Sequence, residues 1–402
     1  MNLIDIIGAG PGEPGQMTLA ARAALDRADI VFAAPRFRTL VRQDQQWHSL
    51  LPFSETMEQL SCLLNSPVQI AVLVSGDTGL YSFLSLLTRR FGREQLRIFP
   101  GISSIQLFCA RLGISWQDAC IHSLHGRSLP PEAVCHLIRT HAKTFFLLDS
   151  EHDPNWIHGI LAAGGLNDVR LTVAERLSEP DEQIGRYEPR SYDPLSILLI
   201  QNDHPSAGLP QIGLPDSAFY RNRTPMTKQE IRIQILCRLN LPQNAVVWDI
   251  GAGTGSITVE AARQCPYGQV YAIEKDEDAF IALQENIHRF YLQNVTLCKG
   301  TAPDALRALP APTHVFIGGT GGQMDAVLDL LESCHTPVRL CATAITMESA
   351  FILTRRLGKY PDNSVVQIAV SRIETIGESH MLRAQNPVFL FTASINTVVP
   401  LQ

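Results

Sequence analysis

The sequence predicts an α/β protein with two domains, and three observations support this prediction. Short apolar segments alternate with stretches of helical periodicity along the chain, which is typical of parallel sheets flanked by helices. The chain has 402 residues, more than one ordinary hydrophobic core accommodates. Two glycine-rich segments of different spacing, Gly8–Gly12 and Asp249–Gly255, lie near opposite ends of the chain, and each directly follows an apolar strand.

The first half of the chain, residues 1–205, is predicted to form one domain in which strands and helices alternate, with parallel strands first. Helical periodicity is present over Thr18–Ala28 and Leu80–Phe91. The predicted strands are Leu3–Ile7, Ile30–Ala33, Gln69–Val74, Arg97–Phe99, Thr144–Leu148, Arg170–Ala174 and Leu195–Ile200.

A linker is predicted over residues 206–225, because residues 201–226 contain four prolines and two glycines. Beyond it, residues 226–402 form a second domain of Rossmann-like order with a terminal hairpin. Thr227 is the expected N-cap of its first helix, with Glu230 completing a capping box. The predicted helices are Lys228–Leu239, Ser256–Gln264, Asp278–Tyr291, Gln323–Leu331 and Glu348–Leu357, and the strands are Ala245–Ile250, Gln269–Ile273, Val295–Lys299, His314–Ile317, Val338–Ala342, Val365–Ser371 and Val388–Thr392.

The composition favours a compact soluble protein and argues against nucleic-acid and membrane binding. Hydrophobic residues make up 45% of the chain and charged residues 18%, as in compact soluble proteins. The net charge of −6 argues against non-specific nucleic-acid binding, which needs a positive field. The nine cysteines have no CxxC or His/Cys metal spacing, so we expect reduced thiols and no metal site. Without a signal peptide or an apolar span of about 20 residues, the chain is predicted to be cytoplasmic, with no membrane partner.

The second glycine segment has the form Asp-x-Gly-x-Gly-x-Gly, with Asp249, Gly251, Gly253 and Gly255 evenly spaced. This spacing differs from the glycine motif of proteins that bind nicotinamide dinucleotides. It is typical of class I methyltransferases, which bind S-adenosylmethionine. Asp249 is expected to meet the cationic amino-acid part of that cofactor. The remaining predicted contacts are Glu274 for the ribose hydroxyls, Thr301 and Ala302 for the adenine, and the glycine-rich exit of the fourth strand, with Gly319 and Gly321, for a bulky planar substrate.

The first glycine segment, with Gly8, Gly10 and Pro11, is a weak signal alone, but similar segments follow later strands. Each brings small and polar residues to the carboxyl end of a strand, so together they predict one cleft. Their predicted cofactor contacts are Gly76, Asp77, Thr78, Ser103 and Ser104, and Arg127, beside His125, is a candidate clamp for a substrate carboxylate. Asp77, Ser103 and Ser104 could equally serve as helix caps.

These segments carry a family resemblance. Residues 8–12, 75–82, 100–113 and 124–127 resemble the tetrapyrrole (corrin/porphyrin) methylases, the class III methyltransferases, whose fold has two α/β subdomains with a cleft. The run FPGISSIQLFCARLGISWQDACIHSLHGR resembles the subfamily that methylates carbon 5 in vitamin B12 synthesis. The second half resembles the class I partner that methylates carbon 15 and decarboxylates the ring C acetate, through segments such as MTKQEIR, WDIGAGTGSITVE, FIGGTGGQM and HMLRAQNPV.

The resemblance implies a bifunctional C-methyltransferase of corrin synthesis. It would use two S-adenosylmethionine sites per chain, convert precorrin-6Y to precorrin-8X with loss of carbon dioxide, and self-associate as a homo-oligomer. Because the substrate is a polycarboxylate, positive charge must be concentrated locally, and Glu348 or His380 is a candidate general acid for decarboxylation. The cationic candidates are Arg111, Arg127, Arg221, Arg223, Lys228, Arg232, Arg372 and Arg383.

Three alternatives stay open from the sequence. The same chemistry could act on the cobalt-containing intermediates of the anaerobic route, since the metal would belong to the substrate. A class I domain could instead modify RNA, although the acidic charge and the first domain argue against it. One half could also be a degenerate module that only holds the macrocycle.

Overall fold

The computed structural model describes residues 3–205 and 212–396, so part of the predicted linker, residues 206–211, lies outside the described residues. Two compact units are present. Of the described residues, the first unit holds those up to Arg127, His141–His158 and Asp168–His204, and the second holds Ser128–Thr140, Gly159–Asn167 and those from Pro205 onward. Within the described ranges, none of the helices is both long and apolar enough to cross a membrane.

The first unit begins with a five-stranded parallel sheet of order β3-β2-β4-β1-β5. β1 is buried along its whole length, as expected for a central strand covered on both faces. Its one charged residue, Asp5, accepts hydrogen bonds of 2.6 and 2.9 Å from Arg97 on β5. The strands are β1 Ile4–Gly8, β2 Ile30–Ala33, β3 Gln46–Ser49, β4 Ile70–Val74 and β5 Leu96–Phe99, and the helices are α1 Leu19–Arg27, α2 Phe53–Leu63, α3 Leu84–Phe91 and α4 Ser104–Leu112.

A second five-stranded sheet, of order β6-β7-β10-β8-β9, completes the first unit, and only its β6–β7 pair is parallel. The two subdomains of a tetrapyrrole methylase fold are therefore present, which confirms the predicted fold class. The strands are β6 Cys120–Ser123, β7 Lys143–Leu147, β8 Arg170–Glu175, β9 Gln183–Arg186 and β10 Ile197–Gln201. Along the chain, helix α5 Pro131–Thr140 follows β6 and helix α6 Pro154–Ala163 follows β7.

Helix α5 and the end of α6 belong to the second unit, although they precede residue 205. Buried Glu132 on α5 accepts a hydrogen bond of 3.2 Å from the backbone amide of Gln293. The side-chain amide of Gln293 donates to the carbonyl of Ile160 on α6 at 3.3 Å. These polar contacts tie the two early segments to the loop that precedes β13 (Val295–Lys299).

The second unit is built on a seven-stranded sheet of order β13-β12-β11-β14-β15-β19-β16, in which β19 alone runs antiparallel to its neighbours. The order reverses between β11 and β14, and α/β sheets bind ligands at such a switch point. The strands are β11 Val246–Ile250, β12 Gln269–Glu274, β13 Val295–Lys299, β14 His314–Ile317, β15 Val338–Ala344, β16 Ser364–Ile368, β17 Ser371–Ile376, β18 Ser379–Ala384 and β19 Val388–Ile395. The helices are α7 Gln229–Leu239, α8 Ser256–Gln264, α9 Glu277–Arg289, α10 Met324–Ser333 and α11 Met347–Leu357.

Short 3₁₀ helices join these elements at Pro14–Gln16, Pro35–Leu40, Arg93–Gln95, Asp216–Ala218 and Asp304–Leu306. Between β16 and β19, strands β17 and β18 form a separate antiparallel hairpin that the sequence did not predict. The reason is its exposure: almost all of its residues face solvent, so it lacks the apolar alternation that marks a half-buried strand.

The predicted capping box at Thr227 is wrong. Helix α7 begins at Gln229, its N-cap is Lys228, and the Lys228 side chain makes no capping hydrogen bond. Instead, the amide of Gln229 donates to Asp216 at 3.0 Å. A carboxylate from the preceding segment therefore accepts the hydrogen bond of a free amide in the first turn of the helix. The local sequence around the helix cannot reveal such a partner.

Arg232 on α7 and its ion-pair partner hold residues 213–216, which precede α7, in place within the second unit. Its side chain is fully buried, is ion-paired with equally buried Glu260, and lies 3.3 Å from Asp216. Glu260 also accepts the amides of Gly213 and Leu214 at 2.6 and 3.1 Å. The expectation that Arg232 binds substrate is wrong, because no part of its guanidinium reaches the surface.

Replacing Arg232 with Met should lower the free energy of unfolding by about 3–5 kcal/mol, because Glu260 would remain buried without its counter-charge. Urea denaturation followed by far-ultraviolet circular dichroism measures this change. Arg307→Met, at an exposed and loosely paired arginine, is the matched control and should change stability by less than about 0.5 kcal/mol. Equal stability of the two variants would contradict the structural role.

Candidate active sites

A cavity of about 210 Å³ lies at the switch point of the second unit. It is formed by the carboxyl ends of β11, β12 and β14 and by the loop after β13. Its lining includes six of the predicted site residues, namely Gly251, Glu274, Thr301, Ala302, Gly319 and Gly321. The sequence prediction for this site therefore converges on one place in the structure.

Glycine is required at the floor of this cavity because two backbones meet there. Gly251 has φ +72°, and a β-carbon at this position would lie 2.5 Å from the carbonyl oxygen of Gly319. At Gly319 itself a β-carbon would meet nothing within 4 Å. Glycine at 251 thus permits close packing, whereas glycine at 319 leaves open space beside the cavity.

Glu274 ends β12 and organises the glycine loop. One carboxylate oxygen accepts the amide of Gly253 at 2.8 Å, and the other accepts the amides of Lys275 and Asp276 at 2.8 and 2.9 Å. A carboxylate has about four acceptor positions, so one remains for a ribose hydroxyl. Gly255 lies deeper, where it precedes α8 and packs on Leu283, so its role in the structure is tight packing.

Asp249 is fully buried at the end of β11, and burial raises the pKa of its carboxyl to about 7. The hydrogen bond from Thr258 opposes this effect, and the charge of Glu274 adds to it. Thr258 donates to one carboxylate oxygen, while the other oxygen, Oδ1, is buried with no hydrogen-bond partner among the described residues. An unsatisfied acceptor beside a ligand cavity fits a site for a cationic group.

The cationic candidates of the second unit fall into two groups. Lys228 lies at the start of α7, and Arg221 and Arg223 are exposed on the segment before it, where the carbonyl of Pro225 lies 3.7 Å from a β-carbon built at Gly253. This basic segment therefore passes beside the glycine loop.

The other cations are neutralised within the protein, which leaves less positive charge for a polycarboxylate. Arg372 donates to Glu230 at 2.7 and 3.1 Å and to Asp216 at 3.3 Å, and Arg383 pairs with Glu374. In the first unit Arg111 pairs with Glu182 at 2.8 Å.

The two candidate general acids lie on separate elements. Glu348 is exposed in the first turn of α11, which follows β15 at the carboxyl edge of the sheet. His380 is exposed on β18, in the hairpin, opposite Thr375. Their positions leave both side chains accessible to a substrate.

In the first unit, three loops at the carboxyl ends of β1, β4 and β5 pack backbone to backbone. A β-carbon at Gly8 would lie 2.5 Å from the amide nitrogen of Gly101, and one at Gly101 would lie 2.3 Å from the carbonyl oxygen of Gly76. Gly10 and Gly76 exchange two backbone hydrogen bonds of 2.8 and 3.2 Å, and Pro11 follows in the turn. The predicted glycines are therefore brought together.

The polar residues of these loops have structural partners. Asp77 accepts the amides of Gly79 at 2.7 Å and Gly101 at 3.2 Å, which ties the second loop to the third. Ser103 forms a capping box with Gln106 at the start of α4, and Ser104 is the first residue of that helix. Thr78 is buried beside Asp77. Their contacts to a cofactor stay predictions.

Arg127 lies over the ring of Tyr81 at 5.2 Å, and His125 is exposed nearby in the chain. Tyr81 has φ +49°, a strained backbone for an aromatic residue, and its hydroxyl donates to the carbonyl of Ile121 at 2.7 Å. This link joins the two sheets of the first unit at the side where Arg127 lies.

Sequence reasoning missed Arg36, which donates to Ser75 beside the second loop and lies 4.6 Å from the ring centre of Phe37. Desolvation lowers the pKa of Arg36, although the negative charges of Glu179 and Asp193 act to raise it. The signal was available, since Arg36 follows the predicted strand Ile30–Ala33 closely, at its carboxyl end.

The raised pKa of Asp249 predicts how the stability of the fold depends on pH. Because its pKa is 3.8 when exposed and about 7 when buried, the folded state holds the proton more tightly, and the free energy of unfolding should fall as the pH rises through this window. The slope contributed by this group should approach about 1.4 kcal/mol per pH unit.

Asp249→Asn should remove that contribution, whereas Asp168→Asn, at an exposed carboxylate, should not. Urea denaturation across the pH window measures it. Identical pH profiles for Asp249→Asn and the wild type would contradict the raised pKa.

Comparisons with known proteins agree for both units. The family model described as tetrapyrrole (corrin/porphyrin) methylases matches residues 4–188, and the model described as a precorrin methyltransferase domain matches residues 218–394. The precorrin-6Y C(5,15)-methyltransferase [decarboxylating] of a Sinorhizobium species is 29% identical, over 93% of this chain and 92% of the relative. The cobalt-precorrin-6B C(15)-methyltransferase (decarboxylating) of Salmonella typhimurium is 35% identical, over 44% of this chain and 93% of the relative.

Among solved structures, a precorrin-6Y C5,15-methyltransferase from Geobacter metallireducens is 31% identical, covers 47% of this chain and 100% of its own, and has a TM-score of 0.43. The order of the two matched domains, the extent of the full-length relative and the glycine-lined sites lead to one assignment. The chain belongs to the precorrin-6Y C5,15-methyltransferase (decarboxylating) family.

Proposed function

We propose that this chain methylates precorrin-6Y at carbons 5 and 15 and decarboxylates its ring C acetate, giving precorrin-8X. The observation that carries the proposal is the presence of both domain types in one chain, in the order found in a full-length relative named for this double reaction. Residues 1–205 would serve carbon 5, residues 226–402 would serve carbon 15 and the decarboxylation, and residues 206–225 would link them.

The family uses S-adenosylmethionine as methyl donor, and the residues of the second unit fit it. Glu274 offers an acceptor for the ribose and lines one cavity with Thr301 and Ala302, and Asp249, which directly precedes two lining residues, offers a buried, unsatisfied oxygen for the ammonium group. In the first unit the loops containing Gly10, Gly76 and Ser103 would hold a second molecule, which makes two sites per chain. When bound, the cofactor supplies an electrophilic methyl group.

The protein's part in methyl transfer is alignment. A corrin precursor already has nucleophilic carbons, so the chain needs no nucleophile of its own and must hold the reacting carbon in line with the methyl group. Lys228, Arg127 and the exposed cations at 221 and 223 would bind peripheral carboxylates. Gly319 leaves room for the ring close to the cofactor cavity, and Gly321 leaves room for the side chain of Lys275.

Decarboxylation breaks the bond between the acetate methylene and its carboxyl carbon. The electron pair passes into the conjugated ring, carbon dioxide leaves, and a proton is returned to carbon. Glu348 or His380 would deliver this proton, because both are exposed titratable groups on segments that match the family.

A cobalt-containing substrate is the second candidate, favoured by one observation. The second half of the chain is 35% identical to a relative named for cobalt-precorrin-6B. Comparing kcat/KM for metal-free and cobalt-containing substrates distinguishes the two.

Mass spectrometry of the product formed from precorrin-6Y with isotope-labelled cofactor tests the proposed function directly. Two labelled methyl groups gained and one carbon dioxide lost support it, and cofactor titration should reach two molecules per chain. A single saturable site would indicate that one half only holds the macrocycle. Light scattering tests the predicted homo-oligomer.

Gly8→Ala and Gly251→Ala should separate the two methylations. Each added β-carbon would lie 2.5 Å from backbone atoms of a neighbouring loop, so the loop must shift. We expect Gly8→Ala to lower carbon 5 methylation, and Gly251→Ala to lower carbon 15 methylation and carbon dioxide release, each by about 100-fold or more.

Gly159→Ala is the matched control, because a β-carbon there meets nothing within 4 Å. If either active-site variant lost both methylations equally while remaining folded, the assignment of one site to each unit would be wrong.

Glu348→Gln and His380→Gln should identify the proton donor. The variant that removes it should slow carbon dioxide release by about 100-fold, while cofactor affinity stays unchanged. Release of labelled carbon dioxide is measured separately from methyl transfer, with Glu378→Gln, in the turn beside His380, as control. Unchanged decarboxylation in both variants would exclude these two residues.

A further inference from the structure

Three large apolar side chains are exposed where β15 leaves the sheet of the second unit. Ile345 is 70% exposed, Met347 72% and Phe351 68%. Met347 and Phe351 are four residues apart on α11 and so share one face, while Ala350, Leu353 and Leu357 of the same helix are buried in the core. We call Ile345, Met347 and Phe351 the apolar platform.

The platform begins one strand away from the cofactor cavity. β14 and β15 are neighbours, with Ile317 paired to Ala342, and the hydroxyl of Thr343 donates to the carbonyl of Ile317 at 3.3 Å. Ile317 leads directly into the glycines that line the cavity. The exits of both strands, and with them the cavity and the platform, therefore lie at the same edge of the sheet.

The surface between them carries little side-chain bulk. A β-carbon at Gly319 or Gly322 would meet nothing within 4 Å, and Gly318 and Gly319 are exposed. A flat molecule could therefore rest across the glycines and reach the platform without displacing protein atoms.

One cation faces this surface. Lys275 lines the cavity, and its Nζ lies 2.8 Å from a β-carbon built at Gly321. Over residues 3–205 and 212–396, no acidic side chain pairs with Lys275, in contrast to Arg355 and Arg356 on α11, which pair with Asp325. An ammonium group without a counter-ion at the mouth of a cavity is suited to a carboxylate of the ligand.

We propose that this surface binds the tetrapyrrole for the carbon 15 reaction: one ring face packs on Ile345, Met347 and Phe351, and a peripheral carboxylate binds Lys275. This inference rests on the proposed function and deepens it. A conjugated macrocycle with carboxylate side arms matches both the apolar area and the isolated cation, and the continuity of the platform with the cofactor cavity places the ring within reach of the transferred methyl group.

The test uses the full-length chain and measures KM for precorrin-6Y from the rate of carbon dioxide release. Met347→Ser/Phe351→Ser should raise KM by on the order of tenfold or more, and Lys275→Gln should do the same. Carbon 5 methylation and cofactor affinity should stay unchanged, and Met347→Leu/Phe351→Leu should keep most of the affinity that Met347→Ser/Phe351→Ser loses.

The controls are Ile281→Ser, at an exposed apolar residue on α9, and Lys359→Gln, at an exposed lysine paired with Glu332. Unchanged KM in both the platform variant and Lys275→Gln would overturn the inference. A change of molecular mass in light scattering with KM unchanged would also overturn it, by showing that a second copy covers the platform. Absence of carbon dioxide release from the wild type would instead refute the proposed function.

Discussion

The structure depends on backbones that approach each other too closely for a β-carbon. In the first unit the loops at Gly8, Gly76 and Gly101 meet in this way, and in the second unit Gly251 meets Gly319. Each contact lies where parallel strands end, so the absence of side chains lets several strand exits come together, and in the second unit a cavity lies beside them. The two units reach this result with different loops, which agrees with their separate family models.

The charged side chains fall into two groups, those paired within the protein and those left exposed. Two arginines expected to bind substrate are neutralised by carboxylates of the protein itself: Arg232 is buried against Glu260, and half-exposed Arg372 bridges Glu230 and Asp216. Asp216 contacts both arginines and also caps α7, so one carboxylate joins the hairpin, the segment that follows residue 211 and helix α7. The exposed cations at 221 and 223 lie instead on the segment beside the second glycine loop, where a polycarboxylate would need them.

Elements with strong local periodicity could be predicted from the sequence. Strands β2, β13 and β14 and helix α8 have the predicted bounds, because the residue pattern that marks each of them lies within its own segment. Helix α4 and the β17–β18 hairpin were missed. The first follows a loop interpreted for its ligand contacts, and the second has no buried face. Six predicted residues line one cavity. The platform was missed because the exposure of its side chains is set by the fold, whereas Arg36 was missed although its place just after a predicted strand marked it.

The sequence by itself determined the two domain types, the family and the glycine positions, because each motif is contiguous and its chemistry follows from residue type and spacing. Only the tertiary structure decided what each polar residue does. It showed that Asp77 holds two loops together, that Arg232 is a buried counter-charge, and that Oδ1 of Asp249 is unsatisfied among the described residues. The physical reason is that hydrogen bonds, burial and ion pairs are set by neighbours in space, and the loops that surround each glycine signature come together only in the folded chain.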